Sequence, residues 1–175
     1  KLSSYPSHST KSILFNKIKY FTVPSEYIKS GMTESLGNDK VIFLNNFGVD
    51  INTNIEKTYS EKTTYLFVGN LEARKGINYL LKAWKEFMPQ QKEKLIMVGR
   101  IPRNVKKTLK KLNLNNIELK GFSNPHEYYM HSDIFILPSI LEGSPKAIFE
   151  AMSYKLPVIT TINSGSIVRD KVDGR

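Results

Sequence analysis

The chain has 175 residues, is 40% hydrophobic and contains no cysteine; 26 Lys+Arg against 16 Asp+Glu give it a formal charge of +10. This length suits one domain, or one domain and part of another. The missing cysteines exclude a disulfide framework and a thiolate zinc site and favour a reducing compartment, so a cytoplasmic location is expected. The only apolar run near the start, Ile13 to Phe15, is too short for a signal-peptide core, and no run approaches the length of a membrane span.

In chain order, "SILFNKIKYFTVPSEYIKSGM" (Ser12 to Met32) reads as a helix, a short strand and the start of another helix. "KVIFLNNFGVD" (Lys40 to Asp50) reads as a strand running into a turn, and the polar, aperiodic "INTNIEKTYSEKT" as a linker, with a domain boundary between residues 50 and 62. From Thr64 a rhythm sets in. "TYLFVG" is a buried strand, and "INYLLKAWKEFM" (Ile77 to Met88) a helix with Leu80, Leu81, Trp84, Phe87 and Met88 on its apolar side, ended by Pro89. "KLIMVG" is the next strand. The helix after it, "RNVKKTLKKLN" (Arg103 to Asn113), spaces Val105, Leu109 and Leu112 on one face and sets Lys106, Lys107, Lys110 and Lys111 on the others. "IELKGF", "DIFILP" and "PVITTI" complete five strands, separated by the helix "PHEYYMHS" and by a helix starting near Pro145. Short apolar strands alternating with helices predict a doubly wound, Rossmann-like α/β domain with a parallel sheet. The chain stops at "KVDGR" without a closing helix, as if cut from something longer.

The positive excess calls for an anionic partner. The basic helix reads as a solvated outer face, with peripheral contact to an anionic membrane as the sharper alternative. Aromatic residues do not interleave with it, which argues against nucleic acid. There is no G-x-G-x-x-G, no G-K-[ST], no G-x-S-x-G and no D-x-D to hold a metal-bound diphosphate; His8, His126 and His131 are scattered, so no metal is expected.

Ligands of open α/β sheets bind beyond the carboxyl ends of the strands. The loops there carry Gly69, Gly99, Gly121, Gly143 and Gly165, with Arg74, Lys75 and Arg100. In "PSILEGSPKAIFEAM" (Pro138 to Met152), Ser144 is a candidate N-cap and Pro145 a candidate first helical residue, leaving the amides of Lys146 and Ala147 free for an anion. Glu142 and Glu150 bracket that site. A carboxylate repels phosphate but accepts from hydroxyls, so a diphosphate with a polyol at each end fits, as in a nucleotide-sugar. Taken singly, Glu150 reads as a partner of Lys146, Glu142 as a loop charge, Lys75 as a solvated helix start and Asn70 as a turn residue.

"EGSPKAIFE", "FEAMSYKLPVITT", "FVGNLEARKGINYLLKA", "GFSNPHEYYMHSDIFILPS", "SGSIVRDKVDG", "VPSEYIKS" and "NNFGVD" together resemble glycosyltransferase family 4 (group 1), over about residues 20 to 175. The resemblance implies the C-terminal, donor-binding half of a GT-B enzyme. Residues 1–50 would be the end of the acceptor domain and the crossover, 51–62 a linker, and 63–175 the donor domain. It implies retaining transfer of a sugar from a UDP-, GDP- or ADP-sugar to a glycan or lipid-linked acceptor, with no cofactor. Lys75 and Arg74 would hold the diphosphate, Glu150 the ribose hydroxyls and Glu142 the sugar near the reacting centre. The amides after Gly143, with Ser144, Lys146 and Ala147, would touch phosphate or sugar; Gly69 and Asn70 would line the donor, and Gly121 and Phe122 the base. Asn70 departs from the arginine usual there. Without an acceptor half the 175 residues are expected to be inactive alone. An epimerase of the same fold, or a non-catalytic nucleotide-sugar-binding module, are the alternatives.

Overall fold

The structure, a computed structural model, describes residues 16–37, 39–51, 55–57, 61–87 and 93–175. The expectations for His8, for Ile13 to Phe15, for Met88 and Pro89 and for part of the 51–62 segment lie outside them. The chain divides into two units at the Asn46–Phe47 junction.

In the first unit, strands β1 (Tyr20–Val23) and β2 (Val41–Leu44) pair in parallel, Tyr20 opposite Val41 and Val23 opposite Leu44. Helix α1 (Glu26–Leu36) connects them. It begins where the Ser25 hydroxyl accepts from the Ile28 amide at 3.3 Å, and ends at Gly37 with φ at 83°.

The second unit is a five-stranded sheet: β3 (Thr64–Val68), β4 (Lys94–Val98), β5 (Ile117–Gly121), β6 (Ile134–Leu137) and β7 (Val158–Thr160). Every pairing is parallel and the order is β5-β4-β3-β6-β7. Helices α2 (Ile77–Phe87), α3 (Arg103–Leu112), α4 (His126–Met130) and α5 (Lys146–Ser153) fill the connections. The predicted doubly wound α/β domain is therefore the observed one. Leu95, Ile96, Met97 and Val98 are all buried, as a strand covered on both faces requires.

Helix α2 buries Ile77, Leu80, Leu81 and Trp84, a stripe at i, i+3, i+4 and i+7. Trp84 packs edge-on against Tyr65 at 5.2 Å and donates its indole N–H to Asn116 Oδ1 at 3.1 Å. Phe87, expected on this side, is 73% exposed, because the stripe closes at Trp84 and Phe87 is the helix's last residue. Helix α3 buries Val105 and half-buries Leu109 and Leu112, and its four lysines face outward as expected. It stops at Asn113, whose φ of 52° is left-handed.

The order places β3 beside β6, while α2 leads from β3 to β4 and α5 leads from β6 to β7. The strand order reverses there, and a crevice opens at such a point. The loops on either side touch through Gly76, where φ is 71° and an added Cβ would stand 1.8 Å from the Pro138 carbonyl oxygen. Gly76→Ala should therefore cost at least about 1 kcal/mol for the left-handed backbone alone, and more for the clash. A denaturant midpoint equal to that of the wild type would show that the two loops are not pressed together.

Candidate functional site

The loop after β3 closes in a single 3-10 turn, Ala73–Lys75, with the Gly76 amide donating to the Ala73 carbonyl. Lys75 is buried at 9% exposure, an unusual place for an ammonium without a partner. Its partner comes from the loop after β6: Lys75 Nζ stands 2.7 Å from Glu142 Oε1. Arg74 Nη1 donates to the same oxygen at 2.7 Å, and Arg74 Nε reaches Glu72 Oε2 at 3.1 Å. The backbone joins these loops too, since the Ile140 amide donates to the Arg74 carbonyl at 2.7 Å. The Glu142 amide donates to the Asn163 carbonyl at 3.0 Å, tying in the loop after β7. The Lys75 stem packs beside Gly69, where an added Cβ would lie at an ordinary contact distance of 3.4 Å from Lys75 Cε. Three loops far apart in sequence thus meet where the strand order reverses.

Helix α5 starts one residue later than the sequence suggests. Pro145 occupies the N-cap and Lys146 is the first helical residue. Ser144 was expected to cap; its hydroxyl is buried but makes no hydrogen bond, because it precedes the cap by one position and cannot reach the first-turn amides. No side chain caps this end, so the helix start keeps unsatisfied donors beside an orphaned hydroxyl.

Glu150 sits one turn in. Its neighbours Ile148, Phe149 and Ala151 are buried, while its own side chain stays 25% exposed. Oε2 accepts from the Tyr129 hydroxyl at 3.0 Å and Oε1 pairs with Lys146 Nζ at 3.2 Å. The pairing with Lys146 that the spacing allows is thus present, with Lys146 67% exposed. Tyr129 on α4 is 1% exposed, and its hydroxyl also lies 3.3 Å from the Ala147 carbonyl. Burial first, then the Glu150 charge, pushes the Tyr129 phenol well up, so it remains a neutral donor. Tyr154 stacks on Tyr129 at 5.3 Å and hydrogen-bonds His126 Nδ1 at 2.5 Å. These groups, with Asn124 and Asp50, line a pocket of about 570 Å3.

Tyr129 and Tyr154 were not read as site residues from the sequence. The available signal was a tyrosine on the buried side of "PHEYYMHS", since a buried phenol needs an acceptor. Lys57 was missed as well: it donates to the Tyr129 and Ser132 carbonyls at 2.9 and 2.6 Å, closing the end of α4. Phe122 is 93% exposed just past β5, and Gly121 beside it has φ at 68°. Asn70 is exposed and its carbonyl accepts from the Glu72 amide at 2.8 Å, closing a turn. Among the described residues no cluster of three or more His, Asp or Glu could hold a metal ion, and no helix is long and apolar enough to cross a membrane.

Tyr129→Phe keeps the ring and removes the donor. It should cost about 1–2 kcal/mol, because Glu150 loses a hydrogen bond. Linkage adds a pH signature. Unfolded tyrosine ionises near about pH 10, while Tyr129 is held neutral in the fold, so stability falls as pH rises beyond that value. Denaturant midpoints up to about pH 11 should fall less steeply in Tyr129→Phe. Parallel slopes in the two proteins would mean that Tyr129 is not the group held neutral.

Comparison with known proteins fits this geometry. An uncharacterised glycosyltransferase of Methanocaldococcus jannaschii is 31% identical over 89% of this chain and 46% of its own length. The chain spans less than half the length of the curated relatives it matches. TarM of Staphylococcus aureus superposes with a TM-score of 0.79 at 19% identity, over 99% of this chain and 36% of TarM. HepE of Anabaena, solved in complex with UDP and glucose, gives 0.73 at 19% identity, over 90% of this chain and 48% of HepE. At these identities the two structures speak for the fold, the doubly wound domain of GT-B glycosyltransferases. The family model for glycosyl transferases group 1 matches residues 49–174, which takes in the whole five-stranded sheet and both glutamates, so the chain belongs to that family.

Proposed function

We propose that the five-stranded unit is the donor-binding domain of a retaining glycosyltransferase. It would present a nucleoside-diphosphate sugar to a glycan or lipid-linked acceptor held elsewhere in a longer protein. The observation that carries this reading is the buried Lys75, fixed where the strand order reverses and held at 2.7 Å by a glutamate from the neighbouring loop. An ammonium there serves an anion better than it serves stability.

In this reading Lys75, Arg74 and the uncapped start of α5 receive the diphosphate, with Ser144 and the amides of Lys146 and Ala147 at hand. Glu150 takes the ribose diol: the exposed end of Lys146 swings aside while Tyr129 holds the carboxylate in place. Phe122, exposed beyond β5, offers a ring for the base, and Gly69, Asn70, Gly121 and Gly143 leave the rim open to a close approach. Glu142 faces the sugar. Transfer breaks the bond between the anomeric carbon and the phosphate oxygen and forms one to an acceptor hydroxyl oxygen on the same face. The nucleoside diphosphate leaves with the bonding pair, and the acceptor proton is released. Developing charge on the leaving oxygen is what Lys75, Arg74 and the helix dipole stabilise.

Calorimetric titration of UDP, GDP and ADP tests the assignment. Glu150→Gln should weaken the preferred nucleotide by about ten- to a hundredfold, the range of a charge-assisted hydrogen bond. Lys75→Ala should also weaken it, and the loss should shrink as ionic strength rises, whereas that of Glu150→Gln should change less. Unchanged affinity in Glu150→Gln would leave that residue a helix-surface partner of Lys146, worth only a few tenths of a kcal/mol.

A further inference from the structure

We propose that Glu142 makes this site distinguish a sugar-bearing nucleotide from the spent nucleoside diphosphate; this rests on the donor-site reading above. Glu142 Oε1 is 2.7 Å from both Lys75 Nζ and Arg74 Nη1, and Glu72 Oε2 is 3.1 Å from Arg74 Nε. Two carboxylates meet two cations, so the cluster is electrically closed. The side chains of Lys75 and Glu142 are each only 11% exposed. A diphosphate that engages the enclosed Lys75 must draw it from Glu142, whereas Arg74, half exposed, keeps N–H donors that neither carboxylate uses.

Displacement has a cost. A mostly buried carboxylate stripped of its cations is left without donors, and such a group destabilises whatever complex contains it. Glu142 cannot escape by moving its backbone, because its amide is bonded to Asn163 and Ile140 nearby is bonded to Arg74. The carboxylate must find new donors within reach of its present position. A sugar carried on the distal phosphate lies beside that phosphate, and hence beside Glu142, and its hydroxyls are such donors. The donor molecule therefore takes the cations and repays the carboxylate at once. The free nucleoside diphosphate takes the cations only. Glu142 subtracts affinity from every phosphate ligand and returns it to those that bring hydroxyls, which is specificity by penalty. The same asymmetry loosens the product after transfer.

The test is calorimetric titration of wild type and Glu142→Gln with UDP and UDP-glucose, and with GDP and GDP-mannose as a second pair. Glutamine keeps the shape and removes the competing charge. The preferred nucleoside diphosphate should bind roughly tenfold tighter to Glu142→Gln, as expected for loss of a rival charge-assisted contact. The preference for the sugar-bearing form should narrow by about threefold or more. Equal or weaker binding of the nucleoside diphosphate by the variant overturns the exchange. Failure of the wild type to bind any of the four ligands overturns the donor-site reading instead, so the two failures are distinguishable. If Glu142→Gln does not fold, Glu72→Gln removes the outer, more exposed rival for Arg74. It should tighten nucleoside diphosphate binding by about two- to threefold, and no gain there overturns the exchange equally.

Discussion

The site depends on one steric constraint, the contact between the loops that follow β3 and β6. At Gly76 there is room for a hydrogen and nothing larger against the Pro138 carbonyl. Once backbone meets backbone there, the Ile140 amide reaches the Arg74 carbonyl and Lys75 is brought against Glu142. The parallel sheet supplies the rest of the geometry. All five strands point the same way, so each following loop lands on one rim, and helices leaving in opposite directions open the crevice between β3 and β6. Gly99 repeats the device one strand over, where an added Cβ would lie 2.0 Å from the Gly69 carbonyl oxygen. The rim is built of backbone laid on backbone, and its few side chains have little freedom to be elsewhere.

The sheet was legible in the sequence because its strands are buried on both faces, which leaves runs such as "KLIMVG" with almost no polar interruption. The loops carrying Lys75 and Glu142, and the helix start before Glu150, were legible for the same reason, since a parallel sheet brings all of its post-strand loops to one rim. What the sequence hid were contacts between distant residues. No local pattern says that Lys57 will bond the carbonyls of Tyr129 and Ser132, or that Tyr129 will reach Glu150. Phe87 and Ser144 misled in another way. Each satisfied a local rule, apolar spacing in one case and capping preference in the other, but stood one step beyond the place where the rule applied. Ends of elements are where tertiary packing overrides propensity most easily.

The two glutamates of "EGSPKAIFE" show how far environment separates identical side chains. Glu142 is held by cations on one oxygen and is nearly enclosed, so its charge is cancelled where it stands. Glu150 is a quarter exposed and is held from the inner side by a neutral phenol. A neutral donor fixes the direction of a carboxylate without cancelling its charge, and with about four lone-pair sites Glu150 keeps acceptor capacity beyond its contacts to Tyr129 and Lys146. The pair with Lys146 alters this little, because an exposed i,i+4 contact contributes only about 0.3–0.5 kcal/mol.

A ligand therefore meets two kinds of acceptor. At Glu150 it would mostly add: once the exposed end of Lys146 moves off, hydroxyls approach a carboxylate whose inner support from Tyr129 is undisturbed. At Glu142 it would exchange, because engaging the enclosed Lys75 draws that ammonium from the carboxylate. An additive site gives affinity to any ligand with the right donors. An exchange site gives its full affinity only when both halves of the ligand arrive together, so a nucleoside diphosphate alone would gain less from it. The eight-residue spacing sets the two glutamates on either side of one helix start, so a single extended molecule can satisfy the first while negotiating with the second. In the proposed reading, that division of labour follows from where Tyr129, Lys75 and Arg74 fall in the fold, and it would explain why an ionisable residue stands inside the apolar run Ala147-Ile148-Phe149-Glu150-Ala151-Met152.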